Sequence, residues 1–291
     1  MNLHASRLDV GVIGTGRVGA VLGAALGRVG HQVVAASAVS ERSRDRAEAL
    51  LPGVPLVAPE DVARRASLLL LTVPDDALPD LVAGLASTGA LRPGQLVAHT
   101  SGRHGLEVLE PALRLGCLPL ALHPVLPFTG SYVDLERLTG AAFGVTAPEP
   151  LRPIAEALVL EIGGEPVWID DDLRPLWHAA LTHGANHLVT LVATAADLLR
   201  SAGVADPALV LGPLLGAALD GALRSGDAAL TGPVSRGDAG TVAAHLAVLP
   251  DDVRPAYRAL ARATADRALA SGRLDAARAG DLLAVLGTVT R

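Results

Sequence analysis

Over the first 170 residues, short apolar runs bounded by Gly, Pro, Asp or Ser alternate with stretches of helical spacing. The runs are LDVGVI (8–13), QVVAAS (32–37), VPLV (54–57), SLLLLTV (67–73), QLVAH (95–99), CLPLAL (117–122), AAFGVT (141–146) and PVWI (166–169). Strands of this length separated by helices predict a doubly wound parallel sheet. A run as continuous as SLLLLTV predicts a strand covered on both faces, hence a central place for 67–73. After Asp170 the strand pattern stops. Apolar residues then recur at helical spacing over roughly 172–200, 206–225, 239–248, 253–271 and 275–287, punctuated by Pro207, Gly226, Pro233 and Pro250. The pattern predicts an α/β protein of two domains, an N-terminal parallel sheet in 1–170 and an all-α domain in 171–291.

Length agrees with two domains, since 291 residues exceed the usual size of one core. Half of the chain is hydrophobic but only 2% is aromatic, so the core must be built from Ala, Leu and Val. All 24 basic residues are arginines, the net charge is −6, and no basic cluster stands out, which argues against nucleic acid as a partner. No apolar run reaches the roughly 18 uncharged residues of a spanning helix, because Gly, Pro or Asp interrupts each one. The start, MNLHASRLDV, lacks the regions of a signal peptide, and the single cysteine, Cys117, has no partner for an intrachain disulfide. A soluble cytoplasmic protein with no membrane partner is the expectation.

Chemistry enters at DVGVIGTGRVGAVLGAAL, where Gly14, Gly16 and Gly19 form G-x-G-x-x-G after a strand and at the start of a helix. The first glycine permits a tight turn, the second lets a pyrophosphate approach, and the third packs helix on sheet. Amides of Gly14, Thr15, Gly16, Arg17, Val18 and Gly19, with the helix dipole behind them, would hold the phosphates. An NAD site usually ends its second strand in an acid. Here AASAVSERSRDR offers Ser37, Ser40 and Arg42, hydroxyls and a guanidinium suited to a 2′-phosphate, so NADP(H) is preferred to NAD. The alternative is a solvated helix start, with Glu41 and Asp45 balancing the arginines.

Three more stretches fall at carboxyl ends of strands, where ligands bind in open α/β sheets: TVPDDAL, HTSGRHG and LHPVLPFTG. Val73, Pro74 and Thr100 would line the cofactor and Ser101 the substrate, while Asp75 or Asp76 reads as an N-cap of the next helix. His123 leads a loop stiffened by Pro124 and Pro127 and would form one wall of the pocket.

Taken together and in order, VIGTGRVG, LTVPDD, HTSG, LHPVLPF, LWHAALTHGANHLVTL and TGPVSRGD resemble Rossmann-like proteins with a C-terminal helical domain of unknown function 2520. Those proteins sit within a wider group of 6-phosphogluconate dehydrogenase, 3-hydroxyisobutyrate dehydrogenase and ketopantoate reductase folds. The resemblance implies a Rossmann-type NADP-binding oxidoreductase whose helical domain often forms a homodimer. It does not imply a substrate.

The wider group commonly presents a lysine and, four residues on, an asparagine from the first long helix of the second domain. Asn186 matches the asparagine, but Thr182 stands at the lysine position, and this chain contains no lysine. At about 100° per residue, Thr182 and Asn186 follow His178 along one side of the helix, with Trp177, Leu181, Leu188, Leu191 and Val192 on the side facing the core. The proton donor would then be a histidine, whose pKa of about 6.5 suits neutral pH, either His178 or His123. His183 and His187 form H-x-x-x-H, but Gly184 stands where a zinc protease has glutamate, so no metal is expected. In TGPVSRGD, Arg236 would bind an anionic small-molecule substrate, or else pair with Asp238 as a loop staple. The reading is an NADP-dependent dehydrogenase or reductase acting on a small carbonyl or hydroxy acid, with a ketopantoate-type 2-oxo acid first. A sensor that binds NADP(H) without chemistry is the alternative.

Overall fold

The computed structural model describes residues 7–287; residues 1–6, part of the stretch read as lacking a signal peptide, lie outside the described residues. The chain divides into two compact units, Met1–Gly184 and Ala185–Arg291.

In the first unit, β1 (Asp9–Ile13), β2 (Gln32–Ser37), β3 (Leu68–Leu71), β4 (Leu96–His99), β5 (Leu118–Pro124), β6 (Ala142–Thr146) and β7 (Glu165–Trp168) form one sheet. Their order is β2-β1-β3-β4-β5-β6-β7. Neighbours run parallel except β5 and β6, which pair antiparallel from Ala121↔Thr146 to Pro124↔Phe143. The link 125–141 carries only a five-residue helix instead of a full crossover helix, and the chain re-enters the sheet in the opposite direction.

Helices α1 (Arg17–Arg28), α2 (Glu41–Leu50), α3 (Pro59–Arg65), α4 (Leu78–Ser87), α5 (Glu110–Leu113), α6 (Val133–Arg137), α7 (Arg152–Glu161) and α8 (Arg174–Leu181) complete this unit. Two apolar clusters flank the sheet. Leu68 and Leu70 join the one containing α1 residues, and Leu69 and Leu71 join the other with α3 and α4 residues, so β3 is buried on both faces as its run of leucines requires. The chain order reverses at β1, placing a switch point beside the carboxyl ends of β1 and β3, where open α/β sheets bind ligands.

One predicted strand is not formed. Over 54–57 only Leu56 pairs, in a single bridge with Ala36, because Pro55 has no N–H to extend a ladder. Its carbonyl still accepts from Ala36 N at 3.0 Å. Nor does Asp75 or Asp76 cap α4. The N-cap is Ala77, with no side-chain bond, and both aspartates instead face Arg103 at 3.5 and 3.0 Å.

The second unit consists of α9 (His187–Ser201), α10 (Pro207–Ser225), α11 (Ala239–Val248), α12 (Arg254–Ala270) and α13 (Ala276–Leu286). Its core comes from α11, α12 and α13, where Val242, Ala261, Ala265 and Leu282 are buried. The small side chains let these helices approach closely. By contrast α9 buries nothing, so Leu188, Leu191 and Val192 do not pack into a core as the wheel predicts. In α10 only Pro207 is buried.

The predicted helix 172–200 is also not continuous. A π turn, Thr182–Asn186, separates α8 from α9. Such a turn inserts residues relative to a regular α-helix, and Gly184, a weak helix former, lies within it. A wheel of constant pitch loses phase across it, so the alignment of His178 with Asn186 on one side does not follow. The uncharged run of α10 ends at Asp220, yet Pro207–Ala229 is by length and composition apolar enough to cross a membrane, its most apolar 18-residue window having a mean hydropathy of 1.3. A count of uninterrupted uncharged residues excludes this segment, whereas its mean hydropathy does not.

Candidate cofactor and active site

The glycine turn follows from three separate steric situations. Gly14 has φ 96°, a conformation other residues rarely adopt, and a Cβ there would meet the Thr72 carbonyl oxygen at 2.9 Å. A Cβ on Gly19 would lie 2.1 Å from Thr72 Oγ1 and 2.2 Å from the Gly14 carbonyl oxygen. Thr72 Oγ1 itself donates to Gly14 O at 2.6 Å, tying the end of β3 to the turn. Gly16 differs from both: its backbone is ordinary (φ −69°, ψ −165°), and nothing stands within 4 Å of where its Cβ would be. The protein's own packing accounts for the first and third glycines but leaves open space in front of the second.

Gly16 is the N-cap of α1, and no side chain caps this helix, so its first-turn amides have no protein acceptor. Arg17 and Val18 belong to that first turn. Thr15 and Ser37 face inward. The amides of Gly14 and Thr15 donate to Ser37 O at 3.2 and 3.0 Å, and Thr15 Oγ1 donates to Ser43 O at 2.9 Å. These two residues shape the turn from inside the fold.

Ser40 caps α2, accepting from Ser43 N at 3.2 Å in a reciprocal capping box, and Arg42 is exposed beside it. The sequence reading passed over Arg46. A Cβ on Gly130 would meet Arg46 Nε at 2.7 Å and Arg17 Cγ at 3.0 Å, so both arginines lie over the same turn. Val73 borders the Gly14 turn, while Thr100 follows β4 and donates its amide to Leu71 O at 3.2 Å.

A second group of side chains in this unit joins α8 to the ends of β4, β5 and β6. Trp177 Nε1 donates to His123 Nδ1 at 3.1 Å. His123 and His178 meet edge to face with ring centroids 5.8 Å apart. Both rings close over Gly102, where a Cβ would lie 2.6 Å from His178 Cδ2 and 2.8 Å from His123 Nε2. Gly144 of β6 likewise leaves room for the Trp177 indole, which a Cβ there would meet at 2.8 Å. The two histidines that sequence offered as alternatives are therefore neighbours.

Beneath them lies Arg174, which sequence does not single out because it opens a helix before Pro175, an ordinary exposed setting. Its exposure is 0%. The guanidinium donates to Ser101 O and His104 O at 2.6 Å each, to Thr146 Oγ1 at 3.0 Å and to Gly144 O at 3.3 Å. Among the described residues no carboxylate lies within 4.0 Å of it, so this is a buried cation held by neutral acceptors. Burial pushes its pKa down to about 10.

Burial and then the Arg174 charge hold His123 at about 4, far below an ordinary histidine. The same two causes hold His99, which accepts from Ser101 N at 3.2 Å, at about 3. Ser101 is thereby bound into the loop, its Oγ accepting from His104 N at 3.1 Å.

Thr182 is half-buried at the start of the π turn, and Asn186 is exposed at its end. In the second unit Arg236 does not pair with Asp238. Asp238 instead caps α11, accepting from Thr241 N at 3.0 Å and from Thr241 Oγ1 at 2.7 Å, and these bonds draw its pKa down. Arg236, with Thr231, Ser235 and Arg273, borders a hollow of about 360 Å³. A larger cavity of about 670 Å³ lies among α9, α11 and α12, mostly apolar but carrying His245 and Tyr257, which share a hydrogen bond of 2.8 Å. Among the described residues no group of three or more His, Cys, Asp or Glu could hold a metal ion.

A glycine turn at the carboxyl edge of a parallel sheet, opening an uncapped helix, defines the first unit as a Rossmann-like domain. Comparison with known families agrees: residues 1–124 match the Rossmann-like domain and residues 141–264 match the domain of unknown function DUF2520. The chain thus carries a Rossmann-like domain followed by a DUF2520 domain.

Solved structures share the fold. A Bacteroides fragilis protein, provisionally named an NADP oxidoreductase, has 23% identity and a TM-score of 0.76, with 89% of this chain and 98% of that one covered. A Thermotoga maritima protein has 21% identity and a TM-score of 0.64 over 90% and 99% of the two chains. A Streptomyces aurantiacus imine reductase has 21% identity and a TM-score of 0.60 over 96% and 92%. No curated protein sequence matches the chain.

Proposed function

We propose that this chain is an NADP(H)-dependent oxidoreductase acting on a small carbonyl or hydroxy-acid substrate, with a ketopantoate-type 2-oxo acid the first to try. The observation that carries this reading is the open face of Gly16. Its neighbours in the motif are glycines that the fold itself needs, whereas nothing in the protein requires glycine at 16. A pyrophosphate against the uncapped start of α1 supplies the requirement. Ser40, Arg42 and Arg46 give the 2′-phosphate donors, and the absence of an acid at the end of β2 favours NADP over NAD. The names of the Bacteroides fragilis and Streptomyces aurantiacus proteins point the same way.

When bound, the nicotinamide gives or takes a hydride. The chain's part is to hold the cofactor with the first-turn amides, to line it with Val73, Pro74 and Thr100, and to bind substrate through Ser101 and Thr182. Asn186 orients the reacting oxygen, and the His123–His178 pair handles its charge and proton. The assembly we propose is a homodimer. Leu209, Leu214 and Leu223 of α10 are 76, 61 and 80% exposed, an apolar surface that a second copy would cover.

The test is NADPH oxidation with a panel of 2-oxo acids and cyclic imines at saturating cofactor. Turnover with one of them supports the enzyme. Tight NADPH binding with no oxidation across the panel would move the protein to the sensor class, which the lack of any lysine favours.

A further inference from the structure

The pair His123 and His178 raises the question of which ring handles a proton. Trp177 answers part of it. An indole N–H can only donate, so its 3.1 Å bond to His123 Nδ1 makes that nitrogen an acceptor. A neutral His123 then carries its proton on Nε2. Among the described residues no buried side-chain nitrogen or oxygen lacks a partner, and no protein group bonds His123 Nε2, so Nε2 opens to solvent. It does so over the bare Cα of Gly102, beside the edge of His178. Behind the ring sits the wholly buried Arg174 cation, whose four acceptors are all neutral.

We propose that Trp177 and Arg174 fix His123 as a neutral imidazole protonated on Nε2, so that it donates a hydrogen bond to the substrate oxygen and does not itself deliver the proton. The proposal rests on the oxidoreductase reading and deepens it. A neutral donor does not change charge as the oxygen gains negative character, and its direction is preset, which is how fixed dipoles stabilise such oxygens. Trp177 acts through His123 and is a positioning residue. Around His123 the charged and titratable groups are Arg174 and His178 from α8, Asp75 from the loop after β3 and His99 of the neighbouring β4. Burial and Arg174 oppose the imidazolium, and only Asp75, the weakest of these influences, favours it. Delivery of the proton then falls to His178.

The experiment uses the full chain labelled with ¹⁵N-histidine. Long-range ¹H–¹⁵N spectra should show His123 as the neutral Nε2–H tautomer from pH 8 to pH 5, and Trp177→Phe should let the Nδ1–H form appear. A wild-type His123 that titrates near pH 6.5, or that carries its proton on Nδ1, overturns the proposal. Kinetics give a second reading, because glutamine can place an N–H close to the position of Nε2. His123→Gln should keep kcat within about tenfold of wild type and His123→Leu should lose roughly 100-fold or more, the size of a lost oxyanion donor. Equal losses in both variants would mean that His123 supplies the proton, against the proposal. NADPH affinity, measured on the same samples, separates the two readings: a correct tautomer without NADPH binding removes the oxidoreductase and with it the oxygen acceptor, whereas NADPH binding with the wrong tautomer removes this proposal alone.

Discussion

Substituting the glycines of the turn one at a time separates what the fold needs from what a ligand needs. In Gly19→Ala the new Cβ lies 2.2 Å from the backbone oxygen of Gly14, which cannot swing aside as the tip of a side chain can. Overpacking of this kind costs about 1–3 kcal/mol, and with a second clash at Thr72 Oγ1 the upper end applies. For a domain of this size, 3 kcal/mol lowers the Tm by roughly 6–12 °C. Gly16→Val meets nothing within 4 Å and keeps an extended backbone that valine adopts freely. Its effect on stability stays within about 1 kcal/mol, the loss attached to an aliphatic N-cap. The isopropyl group nevertheless fills the space a pyrophosphate would take, and NADPH affinity should fall at least 100-fold, about 2.7 kcal/mol. Thermal melts followed by circular dichroism and NADPH fluorescence titrations read the two effects independently. Wild-type NADPH affinity in Gly16→Val would refute the placement of the phosphates, and an unchanged Tm in Gly19→Ala would refute the packing argument.

Three other outcomes follow from the same geometry. His99 and His123 are both held below their unfolded pKa, so the unfolded chain binds more protons than the folded one between about pH 6.5 and their folded values near 3 and 4. Stability is thus fully present above pH 6.5 and falls as the pH drops, by up to about 1.4 kcal/mol per pH unit for each histidine; urea midpoints that stay flat from pH 6.5 to 5 would contradict this. Asn186→Ala should bind NADPH normally while kcat drops, and equal turnover would take Asn186 out of the mechanism. Leu214→Glu should convert a dimer to a monomer in light scattering without loss of helicity, and an unaltered mass would exclude α10 from the interface.

Alternation and run length carried most of the first unit. Seven of eight expected strands form, and the exception turns on one proline whose missing amide stops a ladder. The glycine motif was legible because each position answers to a different steric demand. The second unit was read less well, since helical spacing of apolar residues does not say what covers them. In α9 the leucines that the pattern assigns to a core are exposed in this chain, and a π turn at 182–186 breaks the wheel on which faces were compared. Trp177 illustrates the same limit: periodicity makes it a core residue, whereas its indole nitrogen is spent on His123.

Arg174 shows why the site could not be assembled from motifs alone. Its five N–H groups spread in a plane, and they hold the loop after β4 through Ser101 and His104 while gripping β6 through Gly144 and Thr146. A lysine could not reach acceptors in so many directions, and a hydrophobic residue would leave three buried oxygens, on Ser101, Gly144 and Thr146, without this donor. The same guanidinium adds to burial in keeping His123 and His99 unprotonated, because a second positive charge near it is costly. One residue thus does two things at once, tying the loop after β4 to β6 and helping burial to keep His123 neutral. These roles cannot be separated by mutating Arg174 itself, which would disturb the loop and the charge together, and so the tautomer of His123 and its response to Trp177→Phe are the measurements that isolate the electrostatic part.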